Sequence, residues 1–350
     1  MLDAQAYGAV SPTAPLTAMT VKRRDLRPHD VLVEIHYTGI CHSDIHYTRS
    51  EWGPASYPAV PGHEITGVVA EIGSAVTRHA VGDRVAVGCL IDSCRQCAYC
   101  RAGEENHCVK DGGTLTFGSV DSDGEVTQGG YSTHIAVTED FVLRLPDGLD
   151  LAASAPLLCS GVTAYSLLRR QGVGQNSRIG VVGLGGLGHV TVKLAHAMGA
   201  EVTVLSHSPA KREDALALGA DHYHTTSDPA VFEQLAGSFP LLIITASAPL
   251  DLDAYLGLVA THGTLINLGA PAQPLQMYAF SLLKRDVSIG ASLIGGLRQT
   301  QEMLDFCAER GIASEVEIIA AERINEAYER MLASDVRYRF VIDATTMVRP

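Results

Sequence analysis

No apolar run in this 350-residue chain approaches the roughly 20 residues needed to cross a bilayer, so a spanning helix is not expected. The opening residues, MLDAQAYGAVSPTAPL, lack the basic start and apolar stretch of a signal peptide. The cytoplasm is therefore the expected location. Basic side chains are scarce: 26 Lys and Arg stand against 39 Asp and Glu, and the net charge of -13 repels phosphate backbones and anionic membrane surfaces. No nucleic-acid and no membrane partner is expected. Internal repeats, low-complexity tracts and long linkers are also missing. With 46% apolar and 19% charged residues, the composition is that of a globular chain rather than a disordered one. At this length it exceeds what one hydrophobic core usually fills, so two domains are expected.

Cysteine is used sparingly outside one place. The eight are Cys41, Cys89, Cys94, Cys97, Cys100, Cys108, Cys159 and Cys307, and four of them lie in CRQCAYCRAGEENHC, residues 94–108. A reducing compartment disfavours structural disulfides and leaves metal binding or catalysis as the better explanation. Two residues separate Cys94 from Cys97 and Cys97 from Cys100, and seven more precede Cys108, so tight turns can aim three thiolates at one point while a fourth closes a tetrahedron around Zn(II). Four free cysteines clustered by chance are the alternative. Four sulfur ligands leave no position for water or substrate, so this zinc is expected to be structural and to brace the loop that carries it, about residues 89–110.

A second set is dispersed. GICHSDIHY (39–47), VPGHEITG (60–67) and APLLCSGVTAYS (155–166) each offer one ligand: Cys41, His63 and Cys159. Two thiolates and one imidazole leave the fourth tetrahedral position open, which is the catalytic arrangement. Taken singly, each has a plainer reading, as a small buried hydrophobe or a hydrogen-bonded core histidine. Spacing alone cannot assemble them.

A nucleotide site raises the odds. In SRIGVVGLGGLGHVTVKLAHAMGAEVTVLSHSPAKRED, the β-branched run Ile179 to Val182 predicts a buried parallel strand. Gly183, Leu184, Gly185, Gly186, Leu187 and Gly188 follow in G-x-G-x-x-G order, then a helical pattern through Met198 and a second strand from Val202 to Leu205. Glycines there allow a tight turn and close backbone approach, and the helix N-terminus attracts a pyrophosphate. Dinucleotide sites that take NAD carry an acidic residue about twenty residues beyond the loop, for the ribose hydroxyls. Here that end of the strand is Ser206, followed by His207 and Ser208 as hydrogen-bond partners and Lys211 and Arg212 as cations, a set suited to a 2′-phosphate. NADP(H) is the expected cofactor. Lys211 and Arg212 read equally well as solvating the first turn of the next helix.

These residues resemble a zinc-dependent medium-chain dehydrogenase/reductase, specifically the cinnamyl alcohol dehydrogenase-like branch and its bacterial broad-specificity aldehyde reductase relatives. GICHSDIH, YPAVPGHEITGVV, VGCLIDSCRQCAYC, GGYSTHIAV, APLLCSGVTAYS, GLGGLGH, QEMLDFCAERGI and INEAYERM occur in the family's order along nearly the whole chain. The resemblance implies two zinc ions per chain, one on Cys41, His63 and Cys159 and one on the four clustered cysteines. It also implies that Glu64 is a partner of the first site or an alternative ligand, a buried salt bridge being the other reading. The chemistry it implies is hydride transfer between NADP(H) and aromatic or medium aliphatic aldehydes and primary alcohols. The implied roles are Ser43 for a hydroxyl relay that also touches the cofactor, His46 for the link to solvent, and Asp44 for orienting a zinc ligand. His42 and Tyr47 are packing residues, or in the case of His42 a cofactor contact. Thr163, Thr245, Gly269, Ser292 and Ile294 are implied cofactor contacts, although Thr245 and Gly269 equally fit ordinary strand ends.

The substrate pocket is the thinnest reading. RSEWGPASYPAV lies between the first two zinc ligands and carries the only tryptophan, so Trp52 is expected to line an apolar slot with Leu90, Ile91 and Ile294, or else to plug the domain interface. The expected fold is α/β. A β-rich GroES-like catalytic domain occupies 1–150, a Rossmann-type doubly wound parallel sheet 151–290, with LLIIT, a helical DLDAYLGLVA and GTLINLG among its elements, and 291–350 returns to the catalytic domain. The active site is then expected in the cleft between domains. A homodimer through the edge strand around Val287 to Gly290 is implied by resemblance. Two rival functions are an NAD-dependent polyol or secondary-alcohol dehydrogenase of the same superfamily and a non-catalytic, zinc-stabilised NADPH-binding regulatory protein.

Overall fold

The computed structural model of the chain describes residues 1–271 and 273–347. The chain divides into two compact units, Met1–Val162 with the residues from Ile294 onward, and Thr163–Leu293. Among the described residues no single helix is long and apolar enough to cross a membrane.

The unit from Thr163 to Leu293 is built on six parallel strands. In spatial order they are His222–Thr225, Glu201–Ser206, Arg178–Val182, Phe239–Ile244, Val259–Asn267 and Ser288–Ala291. The first strand in sequence lies at the centre and the order reverses there, which is the doubly wound arrangement. Val181 pairs with Val204 on one side and with Ile243 on the other. Strands covered on both faces read as largely apolar runs, and here Ile179, Val181, Val202, Val204, Leu242 and Ile243 are all buried. Helix Gly188–Ala197 follows the first strand and ends one residue short of the expected Met198, which is its C-cap. The expected helix over DLDAYLGLVA is shorter, Leu252–Leu256, capped by the Asp251 carboxylate at 3.2 Å from the Ala254 amide. It stops at Gly257, because Val259 onward is claimed by a strand running to Asn267.

The other unit carries a mainly antiparallel sheet ordered Val316–Ala320, Arg339–Asp343, Asp30–Gly39, Ile65–Ile72, Arg84–Val87 and Leu143–Arg144, with His134–Thr138 also paired to Asp30–Gly39. The chain's return is built into this sheet. Val341 lies opposite Gly39, and the Ile40 amide donates to Phe340 O at 2.9 Å, so the last strand runs beside the segment that leads to Cys41.

Both expected boundaries move. Residues 151–162 belong to the sheet-rich unit, not to the nucleotide unit, because their backbone is tied to it: Leu151 O accepts from Thr66 Oγ1 at 2.8 Å, and Ala153 O from the Ser314 amide at 3.1 Å. The return falls at Ile294 rather than 291. The cysteine-rich lobe also runs past residue 110, since Leu90–Asp92 pairs with Thr114–Leu115.

Candidate functional site

Cys41, His63 and Cys159 come together at the ends of three elements. Cys41 is the N-cap of helix His42–Thr48, His63 precedes strand Ile65–Ile72, and Cys159 lies between the turn Ala155–Leu158 and helix Ser160–Arg170. Their ligand atoms, with a carboxylate oxygen of Glu64, all lie within 4.8 Å of one another. Ligands on one tetrahedral zinc sit about 3.8 Å apart when its bonds to sulfur are about 2.3 Å, so this spacing fits such an ion.

Asp44 organises the set from behind. Its carboxylate is fully buried; Oδ2 accepts from the Cys41 amide at 2.8 Å and from Tyr131 OH at 3.2 Å, while Oδ1 accepts from the Gly62 amide at 3.0 Å and faces His63 Nδ1 at 3.1 Å. An ionised carboxylate only accepts, so His63 carries its proton on Nδ1 and keeps the Nε2 lone pair for a metal. Burial works against a charge on His63, but Asp44, together with Cys89 and Cys41, outweighs it and raises the imidazole well above its usual range. The loop that brings Tyr131 is clamped by buried Arg23, which donates to the carbonyls of Gln128, Gly129 and His134 and to Ser132 Oγ.

Glu64 combines the two readings left open for it. One oxygen pairs with Arg339, which also donates to Ile40 O at 2.8 Å; the other, Oε2, is buried with no hydrogen-bond partner, and a carboxylate oxygen of Glu64 lies within the ligand cluster. Burial pushes this carboxyl up, while the Arg339 guanidinium favours its ionised form. The hydrogen bond from Cys159, then His63, holds the Cys41 thiol well below its usual range, and contact with Cys41 and Cys89 raises Cys159 correspondingly. Cys89 is the residue that sequence reasoning missed. It touches Cys159, and its Sγ lies 3.8 Å from Leu158 O. Nothing in its spacing singles it out.

Ser43 Oγ lies 3.6 Å from Cys41 Sγ. His46, on the same short helix, faces Glu51 through Nδ1 at 2.5 Å and keeps a buried Nε2 with no partner. Trp52 stacks on the His46 ring, centroids 4.7 Å apart, and is 52% exposed. A small recess beside Cys159 is lined by Gly88, Cys89, Leu90, Leu158, Ile294 and Leu297 among others. Leu90 and Ile294 both line this recess; Trp52 lies over the His46 imidazole, and Ile91 is buried on its strand. His42 lies 6.3 Å from the His46 ring, and Tyr47 packs on Phe117 at 4.8 Å.

The other four cysteines also converge within 4.8 Å. Cys97 Sγ and Cys94 Sγ lie 3.5 and 3.8 Å from Cys100 Sγ, and the amides of Cys94, Cys97 and Cys100 point at sulfurs of Cys108, Cys94 and Cys97 between 3.4 and 3.5 Å. Amides aimed at sulfur favour thiolate: those of Cys100 and Val109 bring Cys97 down to about 6. An all-thiolate zinc fits this donor set.

In the nucleotide unit, Gly183 has a φ of 95°, and a Cβ on Gly188 would come within 2.2 Å of Gly183 O, so the turn can close only with glycine. A Cβ on Gly185 would meet nothing, which leaves backbone facing open space where a phosphate group can approach. Ser206 ends its strand and is buried; Lys211 Nζ reaches back to Leu184 O at 2.8 Å, and Arg212 Nη1 to Tyr223 O at 3.3 Å. Ser208 O accepts from Tyr223 OH, and His207 is exposed. The Thr245 hydroxyl donates to Val182 O and Gly183 O at 3.0 and 3.1 Å, bracing the glycine turn. At Gly269 a Cβ would come within 2.1 Å of Ala246 O, so packing alone accounts for this glycine. Thr163 is buried on its helix, and Ser292 Oγ is buried with no partner.

A doubly wound unit with this glycine turn, joined to a β-rich unit whose two cysteines, histidine and glutamate converge as metal ligands, defines a metal-dependent dinucleotide dehydrogenase. Comparison with known proteins agrees. The alcohol dehydrogenase GroES-like domain family matches residues 27–147, and the zinc-binding dehydrogenase family residues 186–309. The chain is 56% identical to NADP-dependent alcohol dehydrogenase C 1 of Mycolicibacterium smegmatis over 99% of each chain. It is 48% identical to aldehyde reductase YahK of Escherichia coli over 98% of this chain and 99% of that one. The crystal structure of a cinnamyl alcohol dehydrogenase from Sorghum bicolor superposes with a TM-score of 0.96 at 39% identity, covering 100% and 99% of the two chains. The chain belongs to the zinc-dependent medium-chain dehydrogenases/reductases, in their cinnamyl alcohol dehydrogenase-like branch.

Proposed function

We propose that this protein is an NADP(H)-dependent zinc alcohol dehydrogenase and aldehyde reductase, acting on aromatic or medium aliphatic aldehydes and the matching primary alcohols, with two zinc ions per chain. The observation that carries the reading is the convergence of Cys41, His63 and Cys159 within 4.8 Å, with Asp44 holding His63 Nδ1. Relatives named as an NADP-dependent alcohol dehydrogenase and an aldehyde reductase support the reaction class. The four sulfurs of the lobe support the second zinc. When bound, zinc supplies Lewis-acid polarisation of the carbonyl and NADPH supplies the hydride.

The chain's own residues do the rest. Asp44 fixes the tautomer of His63, and Arg339 holds the Glu64 carboxylate beside the ligand set. Ser43 Oγ, beside Cys41 Sγ, delivers the proton that completes the alcohol, and His46 replaces it from the surface, where Glu51 receives its Nδ1. Ser206, with Lys211 poised over the glycine turn, accommodates a 2′-phosphate in place of the acid that would select NAD. The orphaned Ser292 hydroxyl is a fitting cofactor contact. Leu90 and Ile294 give the recess its apolar wall.

A homodimer completes the reading. Ser288–Ala291 is an edge strand, and Tyr278, Phe280 and Leu283 beside it in sequence are 77%, 80% and 70% exposed, an apolar cluster suited to a second copy. The deciding experiment follows NADPH absorbance with a panel of aldehydes, repeats it with NADH, and measures zinc per chain. NADPH-dependent reduction with two zinc ions is expected; one zinc and no turnover would leave the regulatory reading.

A further inference from the structure

The four-cysteine lobe has a mechanical link to the recess. Glu105 lies between Cys100 and Cys108, and its Oε2 accepts from the Leu297 amide at 2.9 Å. Leu297 is the first residue of helix Leu297–Arg310, whose N-cap, Gly296, has no side chain with which to cap it. The lobe therefore supplies the cap from 192 residues away, as a carboxylate at the positive end of a 14-residue helix. The contact is close: a Cβ on Gly296 would come within 1.9 Å of Gly103 O and 2.7 Å of Glu105 Oε2. Arg298 fastens the far side, donating to Ala102 O at 2.6 Å.

The fastened segment is a wall of the recess. Ile294, Gly295 and Leu297 line it together with Gly88, Cys89 and Leu90. Ile294 has a φ of 39°, a conformation that a β-branched residue adopts only when its surroundings impose it. The lobe also borders Leu90, another lining residue, since a Cβ on Gly113 would approach both Leu90 Cδ2 and Glu105 O.

We propose that Glu105 is a positioning residue through which the four-cysteine lobe fixes the Ile294–Leu297 wall, so that the lobe sets which size of aldehyde substituent the recess accepts. This rests on the function proposed above, with the recess as the substrate's apolar seat. The bulky substituent feels the wall, whereas a short aldehyde reaches the zinc ligands without touching it.

The test compares Glu105→Ala with Glu105→Gln, which keeps an acceptor oxygen for the Leu297 amide. Benzaldehyde and propanal are the substrates, with NADPH saturating. Glu105→Ala is expected to raise KM for benzaldehyde about tenfold while leaving KM for propanal and both kcat values within about twofold; Glu105→Gln should stay close to wild type. Hydrogen exchange across residues 293–300 should quicken in Glu105→Ala with two zinc ions retained. Equal KM changes for both aldehydes, a Gln variant as impaired as the Ala variant, or unchanged exchange at 293–300 overturns the proposal. Should Glu105→Ala lose zinc, Gly296→Ala opens the same contact from the wall side and must give the same split, or the proposal fails. A wild type that reduces neither aldehyde sinks the proposed function instead, and the exchange measurement still reads the link.

Discussion

Arg339 and Glu64 form a buried ion pair across 275 residues of chain, directly behind the ligand set that Cys41 opens. Burial works against the Arg339 charge, and the Glu64 carboxylate with the sulfurs of Cys41 and Cys159 more than restores it. Removing one partner strands the other. Arg339→Met is expected to cost about 3–5 kcal/mol in urea denaturation, and the double variant Arg339→Met/Glu64→Gln should recover much of that loss. Additive losses in the double variant would show that the pair is not coupled.

Asp44→Asn tests the bracing of the catalytic ligands. The amide offers Gly62, Cys41 and Tyr131 a poorer acceptor and can present an N–H to His63 Nδ1, which favours the wrong tautomer. Zinc affinity at this site is expected to drop about 10–100-fold, with activity falling alongside, while the four-cysteine site keeps its ion. Metal content after dialysis against a graded chelator reads both sites in one experiment. Loss of both ions together would contradict their independence.

Ser206→Asp tests the cofactor choice. A carboxylate at the end of that strand can accept from ribose hydroxyls but repels a 2′-phosphate. KM for NADPH should rise at least about tenfold and kcat/KM with NADH should improve, the former corresponding to about 1.4 kcal/mol or more of repulsion. Unchanged preference would mean that the 2′-phosphate is read elsewhere.

Glu139 gives a pH-dependent contribution far from the metal ligands. Burial raises its carboxyl, but the amides of Thr77 and Arg78, at 2.9 and 3.0 Å, and His29 at 2.9 Å outweigh this and hold it below the usual carboxylate range. A carboxyl depressed in the folded state stabilises above its unfolded pKa, and that contribution disappears as the pH falls through the lower folded value. Glu139→Gln should therefore lose about 1–2 kcal/mol at neutral pH, and the gap from wild type should close below about pH 4. Thermal unfolding across that range checks the crossover.

Local spacing determined two parts of this protein by itself. Turns of two residues between Cys94, Cys97 and Cys100 aim sulfurs at one point whatever surrounds them, and the run from Ile179 through Gly188 carries strand, turn and helix start in one covalent stretch. Cys41, His63 and Cys159 were legible only as residue types inside recognisable motifs, since no spacing brings them together. Tertiary structure alone decided what stands behind them. Arg339 reaches Glu64 because the last strand pairs Val341 with Gly39, and Tyr131 reaches Asp44 because Arg23 clamps its loop. Trp52 stacks on the His46 ring, and Cys89 joined Cys159 unannounced. Each of these contacts depends on strand register and loop packing between distant segments, which a pattern of neighbouring residues does not encode.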